Sequence, residues 1–320
     1  MTTVSSTMIE LLRLHRFFGD TRAVDDISFD VAAGEVFGYI GPNGAGKTTS
    51  MRILATLELP TMGDARVDGF SSIDDPDRVR SRLGFMPDSF GAYANMSCEE
   101  YLDFFARAYG LAGRERTAAC AKVMDFTGLD GLREKPTRGL SKGMKQRLCL
   151  GRALIHDPPV LILDEPAAGL DPRARIELRE MIGELAANGK TLLISSHILS
   201  ELAEMCDKVA IIEHGRLLAV GTVAEIEGEL ADRAGNAGRR TLRIRLCDRV
   251  GEAETWLQAQ PEIEVARQGE ELFVTHTADR NFEAQLLREM IEAGCTVSEF
   301  APHGTSLEDI FLEVTRGAVQ

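Results

Sequence analysis

A glycine-rich segment near residue 45 has the residue types and spacing of a phosphate-binding loop. It matches G-x-x-x-x-G-K-[ST], in which the glycines let the backbone turn its N–H groups toward phosphate oxygens. Lys47 adds a positive charge for terminal phosphates, and Thr48 offers a hydroxyl to Mg²⁺. We therefore expect a nucleotide and Mg²⁺ to bind here. The expected binding residues are Gly41, Pro42, Asn43, Gly44, Ala45, Gly46, Lys47, Thr48 and Thr49.

Two neighbouring carboxylates, Asp164 and Glu165, follow the apolar run Val160–Leu163. A buried strand that ends in two acids delivers them to the sheet edge where a nucleotide would lie. Asp164 is a candidate Mg²⁺ ligand there, and Glu165 is placed to act as general base for an attacking water. Two acids before a proline are more often a solvated turn, but the phosphate-binding loop favours the functional interpretation.

These residues are positioned by alternating strand-like and helix-like segments. The predicted strands are Met8–Phe17, Ala23–Val31, Glu35–Ile40, Val160–Leu163 and Thr191–Ser195. Helical spacing covers Lys47–Leu57 and a block from about Ser97 to Ile155, which includes Glu99–Tyr109 and Arg116–Thr127. This alternation predicts an α/β fold with a parallel sheet covered on both faces.

A second, smaller domain is expected after residue 240. The pattern changes near Gly221, and the segment Gly235–Arg240 has the composition of a flexible joint. The predicted elements that follow are strand Thr241–Leu246, helix Glu252–Gln260, a hairpin of Ile263–Ala266 and Glu271–His276, helix Phe282–Ala293, strand Cys295–Phe300 and helix Leu307–Thr315. The order β-α-β-β-α-β is the ferredoxin-like pattern of an α+β domain. We expect domains at 1–222 and 241–320, a linker at 223–240, and a helical subdomain at about 89–156.

The composition limits the classes of partner. The 320 residues are 44% hydrophobic and carry a formal net charge of −14. This charge argues against nucleic acid, because binding a phosphate backbone requires clustered lysine and arginine. The six cysteines form no C-x-x-C pair, so we expect reduced thiols in a cytoplasmic protein. No run of about 18 apolar residues occurs, so any membrane-spanning part is expected to be another chain.

The segment Leu140–Arg147 carries a family resemblance. Its sequence LSKGMKQR resembles the LSGGQ signature of ABC (ATP-binding cassette) ATPases. Phe18 resembles the aromatic residue that stacks on adenine in that family, Ala168–Asp171 resembles its D-loop, and Ser195–His197 resembles its switch-histidine region. The order and spacing of these segments agree throughout the first 220 or so residues. The chain therefore resembles a P-loop NTPase of the ABC type.

The resemblance implies a head-to-tail dimer of nucleotide-binding domains, either a homodimer or a heterodimer. Each ATP would lie between the Lys47 loop of one subunit and Ser141 and Gly143 of the other. It also implies that His197 contacts the γ-phosphate and that Asp171 acts across the interface. The expected catalytic residues are thus Lys47, Glu165 and His197, with ATP and Mg²⁺ as cofactors.

Three positions, in two segments, depart from the family pattern. Asp88 stands where the family usually has glutamine, and its shorter side chain argues against a direct role as Mg²⁺ ligand. Within the signature, Lys142 replaces a glycine and Met144 replaces a glutamine, but Ser141 and Gly143 are retained. The remaining histidines, which lack a comparable setting, are expected to be surface or packing residues: His15, His156, His214, His276 and His303.

The C-terminal segment Gly304–Thr315 resembles the closing helix of ATPase subunits from bacterial drug and polysaccharide exporters, and it would equally suit an amphipathic docking helix. We expect an ATPase motor that drives separate transmembrane permease subunits, as a peripheral protein on the cytoplasmic face of the membrane. A non-transport ATP switch, in envelope remodelling or another soluble complex, is the alternative. Transport is favoured because Lys47 and Ser141 leave no room for a long coiled coil and only one cassette is present. The cargo, the direction of transport and the role of the second domain stay open.

Overall fold

The computed structural model of this chain describes residues 6–89, 91, 95–198, 202, 205–226, 240–261, 263–278 and 280–303. The chain divides into two compact units, Met1–Val223 and Ala224–Gln320. Each unit has its own hydrophobic core.

The first unit contains ten strands and six α-helices whose full extent lies within the described residues. Its strands are β1 Thr7–Phe18, β2 Thr21–Ala32, β3 Val36–Ile40, β4 Met62–Val67, β5 Phe70–Ser71, β6 Leu83–Met86, β7 Val160–Leu163, β8 Thr191–Ser196, β9 Lys208–Glu213 and β10 Arg216–Gly221. Its helices are α1 Lys47–Leu54, α2 Pro76–Arg82, α3 Cys98–Ala108, α4 Gly113–Phe126, α5 Lys142–Leu154 and α6 Pro172–Ala187. Two short 3₁₀ turns, Asp130–Leu132 and Thr137–Gly139, separate α4 from α5.

The strands of this unit form two sheets. One is antiparallel, with the order β2-β1-β4-β5, and the other has six strands in the order β10-β9-β3-β8-β7-β6. The six-stranded sheet is parallel except for β10, which pairs antiparallel with β9 at the edge. Every residue of β3, β7 and β8 is buried, as expected for parallel strands covered on both faces. The predicted parallel sheet is therefore confirmed.

One face of the parallel sheet is covered partly by the antiparallel sheet, which the sequence analysis did not foresee. Alternate residues of β3 and β7 point into a core that they share with β1, β2 and α1. Because successive side chains of a strand point to opposite faces of the sheet, every second residue of these strands reaches that core. The core members from these five elements are Phe37, Tyr39, Val160, Ile162, Ile9, Leu11, Leu14, Val24, Ile27, Phe29, Val31, Met51, Ile53 and Leu54.

Three helices of the first unit lie within the predicted helical block. The helices α3, α4 and α5 fill the stretch from Cys98 to Leu154 and pack against one another. The first of them begins with a capping box, in which Ser97 and Glu100 satisfy each other's backbone N–H groups. Within the described ranges, no helix is both long enough and apolar enough to cross a bilayer.

The second unit has the predicted order β-α-β-β-α-β. Its elements are β11 Arg240–Leu246, α7 Val250–Gln258, β12 Ile263–Gln268, β13 Glu271–His276, α8 Arg280–Glu292 and β14 Val297–His303. The sheet order is β12-β13-β11-β14, with every pair antiparallel. This is the ferredoxin-like arrangement, because each helix connects two strands that have a third strand between them. The predicted closing helix Leu307–Thr315 lies outside the described residues, as does most of the predicted linker.

Candidate functional site

The phosphate-binding loop connects the end of β3 to the start of α1 and depends on glycine at specific positions. Gly46 precedes the first turn of α1 with a φ of 107°, a conformation that favours glycine. A β-carbon on Gly46 would collide with the carbonyl oxygen of Ala23, and one on Gly41 would collide with that of Ile212. The loop therefore lies directly against neighbouring backbone, and its shape requires the glycines that the sequence pattern contains.

The ammonium group of Lys47 lies within this loop. The residue is only 5% exposed, and Nζ donates to the carbonyl oxygens of Gly41 at 2.6 Å and Pro42 at 3.2 Å. The same nitrogen is 3.3 Å from Oε1 of Glu165. A fixed positive charge beside a helix N-terminus is the arrangement that binds phosphate. The geometry of the loop thus suits the terminal phosphates of a nucleotide.

Asp164 is fully buried at the end of β7 and is held by the neighbouring strand. The parallel pairing of β7 and β8 places Leu163 beside Ile194, and Ser195 then donates from Oγ to Oδ1 of Asp164 at 2.6 Å. Burial raises the pKa of Asp164, and hydrogen bonding by Ser195 and Thr48 acts in the opposite direction.

The carboxylate of Asp164 fits a metal ion. Its other oxygen, Oδ2, is buried and makes no well-formed hydrogen bond in the described part of the chain. A buried, unsatisfied carboxylate oxygen near a threonine hydroxyl is a suitable donor set for Mg²⁺, which takes oxygen ligands and keeps several of its waters. Thr48 and Asp164 therefore have the chemistry of a ligand pair for the Mg²⁺ of a bound nucleotide.

Glu165 contacts three other residues of the site. Its Oε2 is 2.7 Å from Nδ1 of His197, its Oε1 faces Lys47, and its backbone N–H donates to Ser195 Oγ at 2.8 Å. The backbone of Glu165 is left-handed, with a φ of 49°, which is uncommon for a residue other than glycine. Such strained residues cluster at functional sites, where neighbouring bonds hold them in place.

Asp88 lies on a cavity of about 420 Å³ whose lining also includes Thr48 and Asp164. Its side chain is exposed, and its negative charge contributes to raising the pKa of Asp164. Asp88 therefore lies on the same cavity as Thr48 and Asp164, and among the described residues no hydrogen bond or ion pair joins it to either of them.

Phe18 is at the end of β1, where its side chain is 46% exposed. The guanidinium of Arg16 lies over one face of the ring at 4.3 Å from its centroid, and Glu58 holds that guanidinium at 2.7 Å. An exposed aromatic ring of this kind offers a surface on which a nucleotide base can stack.

Ser141, Gly143 and Asp171 form a second cluster, separate from the phosphate loop. Ser141 caps α5 by accepting from the N–H of Met144, and Asp171 caps α6 by accepting from the N–H of Ala174. The two helix N-termini are neighbours, because a β-carbon on Gly143 would lie 3.4 Å from that of Ala174. Within the described residues, no hydrogen bond or ion pair joins this cluster to the Lys47 loop.

No chemical role was predicted for Ser195, and its hydroxyl lies between the two acidic residues. A polar residue at the carboxyl end of an otherwise apolar buried strand was the available signal, since ligands bind outside that end of a parallel sheet. Its partners could not be predicted, because they depend on the register between β7 and β8.

Two family descriptions match the chain. The ABC transporter family matches residues 24–168, which include the phosphate loop, Ser141 and both acids. The family described as "ATP-binding protein DrrA1-3-like, C-terminal domain" matches residues 235–315. The second match covers the ferredoxin-like unit.

Individual relatives agree with these matches. The chain is 33% identical over 318 residues to the daunorubicin/doxorubicin resistance ATP-binding protein DrrA of Streptomyces peucetius, covering 98% of this chain and 94% of the relative. It is 37% identical over 230 residues to the probable multidrug ABC transporter ATP-binding protein YbhF of Escherichia coli, covering 72% of this chain. That alignment covers 40% of YbhF, so this chain spans less than half of that relative.

A solved structure of an ATP-binding subunit of an ABC transporter is similar to this fold. The TM-score is 0.64 at 31% identity, with 72% of this chain and 95% of that chain covered. The sequence motifs, the geometry of the loop and acids, and a relative matched over almost its full length lead to one conclusion. The chain belongs to the ABC transporter family of ATP-binding proteins.

Proposed function

We propose that this chain is the ATP-hydrolysing motor subunit of an export system whose membrane-spanning permease is a separate chain. The observation that carries the proposal is the contact of one carboxylate, Glu165, with both Lys47 and His197. This arrangement gathers a phosphate-binding cation, a general base and a histidine at one point. Export is supported by the similarity to relatives named for drug resistance and multidrug transport.

The positions of the residues support the following roles. The backbone of Gly41–Gly46 and the ammonium of Lys47 bind the β- and γ-phosphates. Glu165 orients and deprotonates the attacking water, and His197 holds that carboxylate and reaches the γ-phosphate. Thr48 and Asp164 hold Mg²⁺, which when bound neutralises negative charge on the phosphates.

A second cassette completes the site. Ser141, Gly143 and Asp171 lie at two helix N-termini and are not bonded to the phosphate loop of their own chain in the described residues. Helix N-termini bind anions, so this cluster suits the γ-phosphate of a nucleotide held by another subunit. Phe18 stacks on the adenine. The partner is a second copy of this chain or a related cassette, and the interface loosens when the γ-phosphate leaves.

The motor works at the cytoplasmic face of the membrane. No helix among the described residues has the length and apolar character to cross the bilayer. The transport path belongs to the permease. The permease provides the membrane contact, and the ferredoxin-like unit is available for contact with a second copy, regulation or docking.

Co-purification tests this function. The tagged chain is isolated from detergent-solubilised membranes of its source cells, and its partners are identified by mass spectrometry. We expect a polytopic membrane protein at a stable ratio to the chain, and ATP hydrolysis that rises in the reconstituted complex. Glu165→Gln serves as the matched control, because it should keep the same partner and lose the hydrolysis. A soluble complex with ribosomes, DNA or envelope enzymes, and no polytopic protein, would exclude the exporter.

A further inference from the structure

A single buried hydroxyl connects the two acidic residues of the site. Ser195 is 0% exposed near the end of β8, and its Oγ is 2.6 Å from Oδ1 of Asp164 and 2.8 Å from the backbone nitrogen of Glu165. Asp164 and Glu165 directly follow β7, so the hydroxyl links β8 to the turn after its neighbouring strand.

The direction of both hydrogen bonds is fixed. A serine hydroxyl has one proton to donate and lone pairs to accept with, and a backbone N–H can only donate. Ser195 must therefore accept from Glu165 and give its one proton to the carboxylate of Asp164. The side chain has a single orientation in which both bonds form, and burial keeps water from replacing either bond.

The bond to Glu165 holds a strained backbone. Glu165 has a φ of 49° and directs its carboxylate toward Lys47 and His197. A residue in this conformation keeps it only when neighbouring groups require it. The N–H of Glu165 is bonded at the start of that turn, so the hydroxyl of Ser195 helps to set where the carboxylate points.

The hydrogen bond from Ser195 to Asp164 determines which carboxylate oxygen stays available for a metal ion. With Oδ1 bonded to Ser195, Oδ2 is left buried without a well-formed partner in the described residues. Without the serine proton, Oδ1 would lose this hydrogen bond and the orientation of the carboxylate would be less firmly fixed. The hydroxyl therefore keeps Oδ2 turned to the side where a metal ion would be held.

We infer that Ser195 is a positioning residue that fixes the metal-binding carboxylate of Asp164 and the backbone of the base Glu165 with one hydroxyl. The inference rests on the ATP hydrolysis in the proposed function. It assigns no contact between Ser195 and the nucleotide. Loss of such a supporting hydrogen bond typically lowers metal affinity or activity by about 10- to 100-fold.

The test separates Mg²⁺-dependent from Mg²⁺-independent binding. The affinity of the full chain for a fluorescent ATP analogue is measured by anisotropy, once with excess Mg²⁺ and once with EDTA. For Ser195→Ala we expect affinity about 10-fold below the parent with Mg²⁺ and equal to the parent in EDTA. Turnover at saturating ATP should fall by about 10- to 100-fold.

Thr191→Val is the matched control. Thr191 is on the same strand as Ser195, is 1% exposed, and its hydroxyl accepts from the N–H of Gly34 at 2.9 Å. The variant removes a buried hydroxyl that accepts one backbone N–H, but at the opposite end of β8. It should lower the unfolding temperature and leave the affinity gained with Mg²⁺ unchanged. Should Ser195→Ala fail to fold, Ser195→Cys keeps the shape with a weaker donor and is measured instead.

Two results would overturn the inference. One is a Ser195 variant that keeps the parent's Mg²⁺-dependent gain in affinity and its turnover. The other is an equal loss of affinity in Mg²⁺ and in EDTA, which indicates general damage to the fold. Failure of the proposed function is a different result, in which the parent chain shows no ATP hydrolysis with its permease. The comparison of nucleotide affinity in Mg²⁺ and in EDTA still tests the positioning role of Ser195 in that case, because it measures binding and does not depend on hydrolysis.

Discussion

Oε2 of Glu165 lies 2.7 Å from Nδ1 of His197, although 32 residues separate them in the chain. The contact crosses from the turn after β7 to the residue that follows β8. It makes the histidine a direct support of the carboxylate that we propose as general base. Since Glu165 is only 14% exposed and His197 is 43% exposed, a phosphate can approach the histidine from the open side.

Replacing His197 with alanine should slow hydrolysis by about 100-fold, because a misplaced catalytic group costs roughly that much. We expect kcat to fall, while the affinity for ATP stays close to that of the parent. Steady-state kinetics over a range of ATP concentrations would measure both.

His214→Asn is the control for that variant. His214 is exposed and has a φ of 47°, and among the described residues its side chain forms no hydrogen bond or ion pair with Lys47, Glu165 or His197. Asparagine tolerates this conformation, so hydrolysis should be unchanged. Parent-like kcat in His197→Ala would show that Glu165 does not need the histidine.

Gly46→Ala should abolish ATP binding and destabilise the chain by about 1–3 kcal/mol, the usual range for a strained backbone. Gly46 has a φ of 107°, and a β-carbon there would collide with the Ala23 carbonyl oxygen. Isothermal titration with ATP and chemical unfolding would measure the two effects.

Gly183→Ala is the counterpart on an exposed helix face. Gly183 lies within α6, and a β-carbon there would have no atom within 4 Å. Alanine should therefore stabilise the chain by about 0.5–1 kcal/mol without changing ATP affinity. If both glycine variants bound ATP like the parent, the close packing of the loop against neighbouring backbone would not be required for ATP binding.

The stability of the chain should fall between about pH 6.5 and pH 4 because of His156. Burial lowers the pKa of His156 from 6.5 to about 4, and its ring stacks on Tyr109 with the centroids 3.7 Å apart. Below pH 6.5 the unfolded chain takes up a proton that the folded chain refuses until about pH 4. The unfolded state is therefore favoured progressively across that window, by up to about 3 kcal/mol.

His156→Phe isolates this contribution, because it keeps a flat ring against Tyr109 and removes the titrating group. Urea unfolding at pH 8, 6, 5 and 4 should give a shallower loss of stability for the variant than for the parent. Carboxylates affect both proteins equally in this comparison. If the free energy of unfolding fell equally with pH in both proteins, the loss of stability could not be assigned to His156.

Contiguous motifs made much of this site predictable. The phosphate loop needs residues at fixed spacing within one turn, so Gly41–Thr49 could be identified from sequence alone. The strand Val160–Leu163 was predicted with its observed bounds, because a short apolar run that ends in acidic residues is typical of a buried parallel strand. The second unit was predictable in its order of elements, since each strand and helix has its own hydrophobic period.

Contacts between distant segments were not predictable. The bridge from Ser195 to Asp164 and Glu165 depends on the register of β7 and β8. Asp25 is another case, since the guanidinium of Arg216, far away in the chain, lowers the pKa of Asp25 through a hydrogen bond at 2.8 Å. The antiparallel sheet of β1, β2, β4 and β5 was also missed, because alternation alone does not show which strands pair.

Size-exclusion chromatography with light scattering on Glu165→Gln tests the central claim, that ATP is held between two cassettes. Loss of the general base should slow hydrolysis by about two to four orders of magnitude, so ATP persists at the site. With ATP and Mg²⁺ we expect the variant to elute as a dimer, and with ADP as a monomer. Lys47→Ala in the same background should remain monomeric with ATP. A Glu165→Gln variant that binds ATP and stays monomeric at every protein concentration would contradict the account.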